Sequence, residues 1–194
     1  SSGKLGRGLS FDGVDDYVSV GDKDIFTFGN GTADNPFSVC SWVNINSLTG
    51  EKKIISKYNS ATGVYEWAFG IFNANLEVLL ADAVRLKVPY VSVTTMTLGW
   101  HYVCGVYDGR GGATAANGIA VYFDGVSKTP TVFNQALYVA MSNTAIPVWI
   151  GAKNNPGGYM NGLIDDLRIF SRALSATEIA QMYNSTKDGY LGNI

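Results

Sequence analysis

Hydrophobic and polar residues alternate in short runs along most of this chain, and glycine-rich turns separate the runs. Leu9-Ser10-Phe11-Asp12 alternates until Gly13 breaks it, and the pattern resumes over Asp15-Asp16-Tyr17-Val18-Ser19-Val20. Between Gly21 and Pro36 the composition turns to Gly, Asn, Asp and Thr, which reads as a loop. FSVCSWVNI (37–45) is a strongly apolar strand, and Ile54 to Tyr58 is a shorter one closed by the turn Asn59 to Gly63. Over residues 65–72, Tyr65, Trp67, Phe69 and Ile71 share one face; Asn73-Ala74-Asn75 then turns into Leu76 to Ala81, a hairpin. Arg85 to Val93 is β-prone but carries Pro89, which predicts an edge strand or an irregular segment. Trp100 to Asp108 is a core strand, and Gly109 to Gly118 is a loop. Ile119, Val121 and Phe123 alternate with Ala120, Tyr122 and Asp124, and Asp124-Gly125 supplies the hairpin turn. Val148 to Gly151 is the penultimate strand, followed by the polar loop 154–158.

The last patterned stretch is NGLIDDLRIFSRALSATEIAQMY (161–183). Leu163, Asp165, Leu167 and Ile169 alternate with Ile164, Asp166, Arg168 and Phe170, so each face is apolar and each carries one acid. A helix start follows. Ser175 caps the amide of Glu178, Glu178 reaches back to Ser175, and Leu174 and Ile179 occupy the positions of a hydrophobic staple. Two acids on a mostly buried strand need partners, because an unpaired buried carboxylate is costly, and a metal ion is the economical one. The whole pattern predicts roughly ten to twelve short strands with a single capped helix, an all-β, two-sheet antiparallel sandwich.

Composition narrows the class. With 194 residues, 46% hydrophobic, 15% charged and 23 glycines, the chain suits one turn-rich β domain. There is no internal repeat and no domain linker; residues 1–8 read as a linker or remnant, 9–184 as the sandwich and 185–194 as a tail. The opening SSGKLGRG reads as a cut from a longer protein whose export signal lies elsewhere. A net charge of -2 and no basic run beyond Lys52-Lys53 argue against a nucleic-acid surface. No apolar run approaches the ~18 residues of a membrane span. Cys40 and Cys104 lie in apolar strands outside any metal or redox spacing, which favours two small buried residues over a bridge between neighbouring strands.

LSFDGVDDYVSV (9–20), FSVCSWVNI (37–45), GWHYVCGVYDG (99–109), IAVYFDG (119–125), WIGAK (149–153) and GYMNGLIDDLRIFSRALSATEIAQMY (158–183) occur in the order typical of one family. Through them the chain resembles the laminin G-like, concanavalin A-like jelly-roll superfamily over nearly its whole length. The resemblance implies two curved antiparallel sheets, a structural calcium site near the N- and C-terminal strands, and roles in glycan binding or adhesion. The family also contains enzymes, so the fold alone leaves function open.

Calcium takes six to eight oxygen ligands, and Asp12 with Asp165 and backbone carbonyls resemble the family's arrangement; Asp15, Asp16 and Asp166 are the further choices. The competing reading makes Asp15 and Asp16 turn acids and pairs Asp166 with Arg168 or Arg172. Among the aromatics, Trp42, Trp100 and Trp149 read as packing residues. Trp67, Tyr65 and Tyr58, with Lys57 and Asn73, form a sugar-stacking set if they share a face; otherwise Trp67 is core. A second group is Asn154, Asn155 and Tyr159, near His101 or Tyr107 if the loops converge. The paired acids of the family's glycosidases are missing, and neither a nucleophilic triad nor a phosphate loop is present. Asn30-Gly31-Thr32 and Asn184-Ser185-Thr186 match the glycosylation pattern, which short sequences also match by chance. The expectation is a non-catalytic, calcium-stabilised, carbohydrate-binding module of an extracellular or cell-surface protein, monomeric, without membrane insertion. Its partner would be a polysaccharide or other glycan. The alternatives are a protein-binding or structural spacer module of an adhesin or phage tail protein, with a cell-surface protein as partner, and then a glycan-active enzyme.

Overall fold

A computed structural model of the chain describes residues 1–59, 62–82, 90–94, 96–153 and 157–189. Within them the strands are β1 (Leu9–Asp12), β2 (Val18–Gly21), β3 (Phe37–Ile45), β4 (Glu51–Asn59), β5 (Val64–Phe72), β6 (Asn75–Leu80) and β7 (Tyr90–Thr94). They continue as β8 (Gly99–Tyr107), β9 (Ile119–Phe123), β10 (Val126–Lys128), β11 (Thr131–Phe133), β12 (Val148–Ile150) and β13 (Asn161–Phe170). One helix, α1 (Ala176–Thr186), closes the described chain. A six-stranded sheet runs β1-β13-β3-β8-β9-β10, and a seven-stranded sheet runs β11-β7-β6-β5-β4-β12-β2. Every pairing is antiparallel, which gives the two-sheet sandwich that the alternation predicts.

The two inner faces meet in one core. Phe28 and Phe37 stack at 4.3 Å, and the Trp67 ring packs on both at 5.7 and 5.6 Å. Val39, Val43, Phe69, Ile71, Leu76, Val78, Val103 and Val121 extend this cluster along the strands. The outer face of the six-stranded sheet carries a second apolar layer, Cys40, Trp42, Tyr102, Cys104, Val106 and Tyr122, which needs a cover. Helix α1 supplies it. The capping box forms as expected, with Ser175 Oγ accepting from the Glu178 amide and Glu178 accepting from the Ser175 amide at 2.8 Å. The staple residues Leu174 and Ile179 are both buried in this layer. The turns Asn73-Ala74 and Asp124-Gly125 have left-handed backbone at both positions, matching two-residue hairpins. A Cβ on Gly125 would lie 2.8 Å from the Tyr183 ring, so this hairpin can seat the helix only with glycine there.

Three expectations change. Cys40 and Cys104 stand directly opposite in the β3–β8 pair and are joined in a disulfide, where the sequence favoured two separate thiols. Register, invisible in the sequence, brings their Cα atoms to 4.2 Å. β7 is not an edge strand, because β11 pairs with its outer side; Pro89 itself lies outside the described residues. Residues 1–8 fold back on the sandwich, with a Ser2–Arg7 bridge and Leu5 packed on the layer under α1.

Candidate functional site

On the outer face of the seven-stranded sheet, two rows of residues cross five strands in register. One row is Ser56, Ala68, Leu79, Tyr90 and Phe133; the next is Lys53, Gly70, Glu77, Ser92 and Thr131. Alternation along each strand turns these side chains away from the core, where Phe69, Val78 and Leu80 point inward. The face is not flat. Tyr58, Phe72, Glu77, Leu79 and Tyr90 line a groove of about 330 Å³. Gly70 keeps the floor low, since a Cβ there would meet the Lys52 carbonyl at 2.4 Å and the Lys53 stem at 2.8 Å. Tyr58 packs on Tyr65 at 4.2 Å with the rings tilted by 42° along one flank, and Tyr90 stacks on Phe133 at 4.4 Å towards the sheet edge. Phe72 and Phe133 remain 46% and 41% exposed, so this aromatic surface meets solvent.

The charges beneath it are arranged around Glu51. Lys53, only 1% exposed, reaches Glu51 at 3.0 Å, and Lys153 pairs with the other Glu51 oxygen. Burial pushes the Glu51 acid up, but the two lysines outweigh it and hold the group below its ordinary value. Ala152 and Gly158 lie against these strands, with Ser56 Oγ donating to the Ala152 carbonyl and the Lys53 amide donating to the Gly158 carbonyl. Glu77 is different. Burial raises its pKa, Lys53 opposes the shift, and Glu51 adds to it. Burial, with Tyr65 and Glu51 adding, pushes the Tyr58 phenol up to about 12, so it remains a neutral hydroxyl at physiological pH.

Of the expected stacking set, Tyr58 alone lines the groove. Trp67 is fully buried, with Nε1 donating to the Phe26 carbonyl at 2.9 Å, so no sugar can reach its face. An irregular register between Lys57 and Tyr58 separates Tyr65 from the inward series Trp67, Phe69 and Ile71; Tyr65 is 7% exposed and supports Tyr58. Lys57 is fully buried and bonded to Glu66, Asp22 and Thr27 at 3.0, 3.0 and 2.6 Å, so it too is unavailable to a ligand. Asn73 is a turn residue whose Oδ1 accepts from the Gly50 amide at 2.9 Å. Asn154 and Asn155 lie outside the described residues. His101 and Tyr107 sit at opposite ends of β8 and are bonded to Asp124 and Asp34, so they form no joint site. Phe72, Glu77, Leu79, Tyr90 and Phe133 were not anticipated. Strict alternation in 75–80 turned Glu77 and Leu79 to one face, but only register joined them to the others.

The acids divide as follows. β1 and β13 are neighbours, yet Asp12 stands opposite Asn161, four positions short of Asp165. At about 3.3 Å per residue the two carboxylates are roughly 13 Å apart along the sheet, too far to share an ion. Asp165 is satisfied by protein, its oxygens accepting from the Leu5 and Asp166 amides at 2.7 Å each. Asp166 pairs with Arg168 at 2.8 Å. Asp12, Asp15 and Asp16 cluster within 4.8 Å on the exposed β1–β2 turn. There Asp12 Oδ1 accepts from the Val14 and Asp15 amides and Asp16 Oδ2 from the Asp12 amide.

Sheet order, the helix over one face and the open groove on the other define a jelly-roll sandwich of the lectin type. The chain belongs to the concanavalin A-like lectin/glucanases superfamily, whose laminin G-type model matches residues 12–180. No curated protein matches it. Among solved structures it is similar to the binding domain of Paraclostridial Mosquitocidal Protein 1, with 14% identity and a TM-score of 0.69 over 95% of this chain and 45% of that one. The botulinum neurotoxin serotype G binding domain gives 18% identity and a TM-score of 0.64, covering 91% of this chain and 42% of that one. The serotype D ligand binding domain in complex with N-acetylneuraminic acid gives 21% and 0.61, covering 92% and 41%. This chain therefore spans less than half of each, and at these identities the likeness is one of fold. Among the described residues no helix is long and apolar enough to cross a membrane.

Proposed function

We propose that this chain is a non-catalytic carbohydrate-binding module of an extracellular or cell-surface protein, and that glycan lies in the groove across β4 to β7. The observation that carries this reading is the aromatic rim, half-buried Tyr58 and Tyr90 with exposed Phe72, set around the single acid Glu77. Flat aromatic faces stack on the C–H faces of sugar rings, while hydroxyl, carboxylate and amide groups orient them. Binding is passive, with the sandwich as a rigid platform, and useful strength comes from polymeric ligands or repeated modules. The sialic-acid complex of the serotype D domain supports a glycan ligand in general, by likeness of fold and not of site. The Cys40–Cys104 bridge supports an oxidising compartment. A glycan array with wild type and Tyr90→Ala tests the reading: binding weakened by the substitution supports it, and an empty array sinks it.

A protein ligand is the second reading. It is favoured by the exposed apolar side chains of Val132, Leu137 and Val139, at 39%, 70% and 55% exposure. Capture of a cell-surface protein with an empty glycan array would select it. Release of reducing ends from a polysaccharide would point instead to an enzyme.

We also propose structural calcium, held at the β1–β2 turn. Asp12, Asp15 and Asp16 offer hard oxygen donors, and the oxygens not engaged by backbone amides, with water, make a set of the kind calcium takes. An ion there would pin the turn that joins the two sheets.

A further inference from the structure

We propose that the groove selects glycans carrying a free amine, with Glu77 as the charge partner of the ammonium group. The inference rests on the glycan reading above and deepens it. Of the five groove residues, four are neutral walls, and Glu77 is the one acid. It sits between Gly70 and Ser92 in its row, so the bare glycine leaves its approach open. The neighbouring cations are already engaged. Lys53 is bonded to Glu51 and almost fully buried, and Lys153 shares the same acid. Among the described residues no donor lies within hydrogen-bond distance of the Glu77 carboxylate, and no cation forms an ion pair with it.

A partly desolvated carboxylate walled by Tyr58, Phe72 and Tyr90 has the chemistry of an ammonium site. The acid supplies a charge-assisted hydrogen bond, and the rings supply cation–π attraction that grows as water leaves. A neutral hydroxyl gains less from both. An N-acetyl group loses the charge and sets a methyl against the carboxylate, and an acidic sugar meets direct repulsion. The raised proton affinity of Glu77 agrees: burial holds the anion in an unfavourable place, which an adjacent cation relieves. Ser92 and Thr131, in the same row, offer hydroxyls to the rest of the ring.

The test is titration calorimetry with a fully deacetylated chito-oligomer and its N-acetylated counterpart of equal length, at a pH where the amine is protonated. Wild type should bind the deacetylated oligomer at least tenfold more tightly. Glu77→Gln should bring that ratio close to one while leaving affinity for the acetylated oligomer within about twofold. Asp108→Asn, an equal charge change beyond the end of β8 in the other sheet, should leave the ratio intact. Equal binding of both oligomers by wild type overturns amine selection and leaves the glycan reading standing. A ratio unchanged by Glu77→Gln, or one lost equally in Asp108→Asn, which would mark bulk charge, overturns the assignment to Glu77, again with the glycan reading left standing. Failure to bind either oligomer or any arrayed glycan removes the glycan reading, and this inference with it. Binding of a trimethyl-lysine peptide with neither oligomer bound also overturns it, in favour of a protein ligand.

Discussion

Tyr90 and Phe133 stack face to face across the β7–β11 pair, with ring centres 4.4 Å apart and planes inclined by 13°. The edge strand β11 and its neighbour β7, neither long, thereby present one continuous aromatic surface beside the groove. Tyr90→Ala or Phe133→Ala should each weaken glycan binding about three- to tenfold, in line with about 0.5–1.5 kcal/mol for an aromatic contact. The thermal midpoint should move little for Phe133→Ala, since that ring is 41% exposed. Affinity unchanged in both variants would remove this face from the binding site.

Trp67 behaves oppositely. It is buried against Phe28 and Phe37 and donates to the Phe26 carbonyl, so Trp67→Ala should cost about 3–5 kcal/mol of stability. Denaturant unfolding measures this directly. Normal stability with selective loss of sugar binding would contradict the core assignment.

The Cys40–Cys104 bridge closes a span of 64 residues and lies beneath α1. Replacing both cysteines by alanine should destabilise the fold by about 2–4 kcal/mol, chiefly by freeing the unfolded chain. A pair of melts, wild type against the double variant under non-reducing conditions, decides the matter; coincident curves would refute the prediction.

Glu77 contributes to pH dependence with a definite sign. Its folded pKa is raised by burial, so its contribution favours the fold below the ordinary carboxylate value and is lost as pH rises through the folded value. Glu77→Gln should therefore be more stable than wild type at neutral pH, and the gain should vanish in acid. A gap between the two proteins that stays constant from about pH 3 to about 8 would show that the acid titrates normally.

If calcium occupies the β1–β2 turn, a chelator should lower the melting temperature by several degrees. The Asp15→Asn, Asp16→Asn double variant should melt lower from the start and ignore the chelator. Asp165→Asn, which weakens the acceptor for two backbone amides, should destabilise the protein while leaving the chelator response intact. A wild-type melt indifferent to both chelator and added calcium rules out the ion.

Much of this was legible in the residues themselves. Alternation in 119–123, the Asp124-Gly125 turn and the Ser175-to-Glu178 cap are local signals, and local backbone preferences decide them. Trp67 shows the limit. In a sheet buried on both faces at its centre, an aromatic strand residue looks the same whether it points inward or outward. The irregular register at Lys57–Tyr58 breaks the period of two that would otherwise tell them apart.

The two terminal acids show the same limit at longer range. Strand neighbourhood followed from the order of the motifs, but a displacement of four residues in the β1–β13 register separates Asp12 from Asp165. The sequence by itself determined the sandwich, its hairpins, its single capped helix and its family, because each depends on neighbours a few residues apart or on the overall order of patterned runs. Only the tertiary structure decided that Cys40 meets Cys104, that Lys57 is spent on Glu66, and that Tyr58, Phe72, Glu77 and Tyr90 share one groove. Those meetings depend on strand register, and register is a property of the assembled sheet, set by packing summed over many residues.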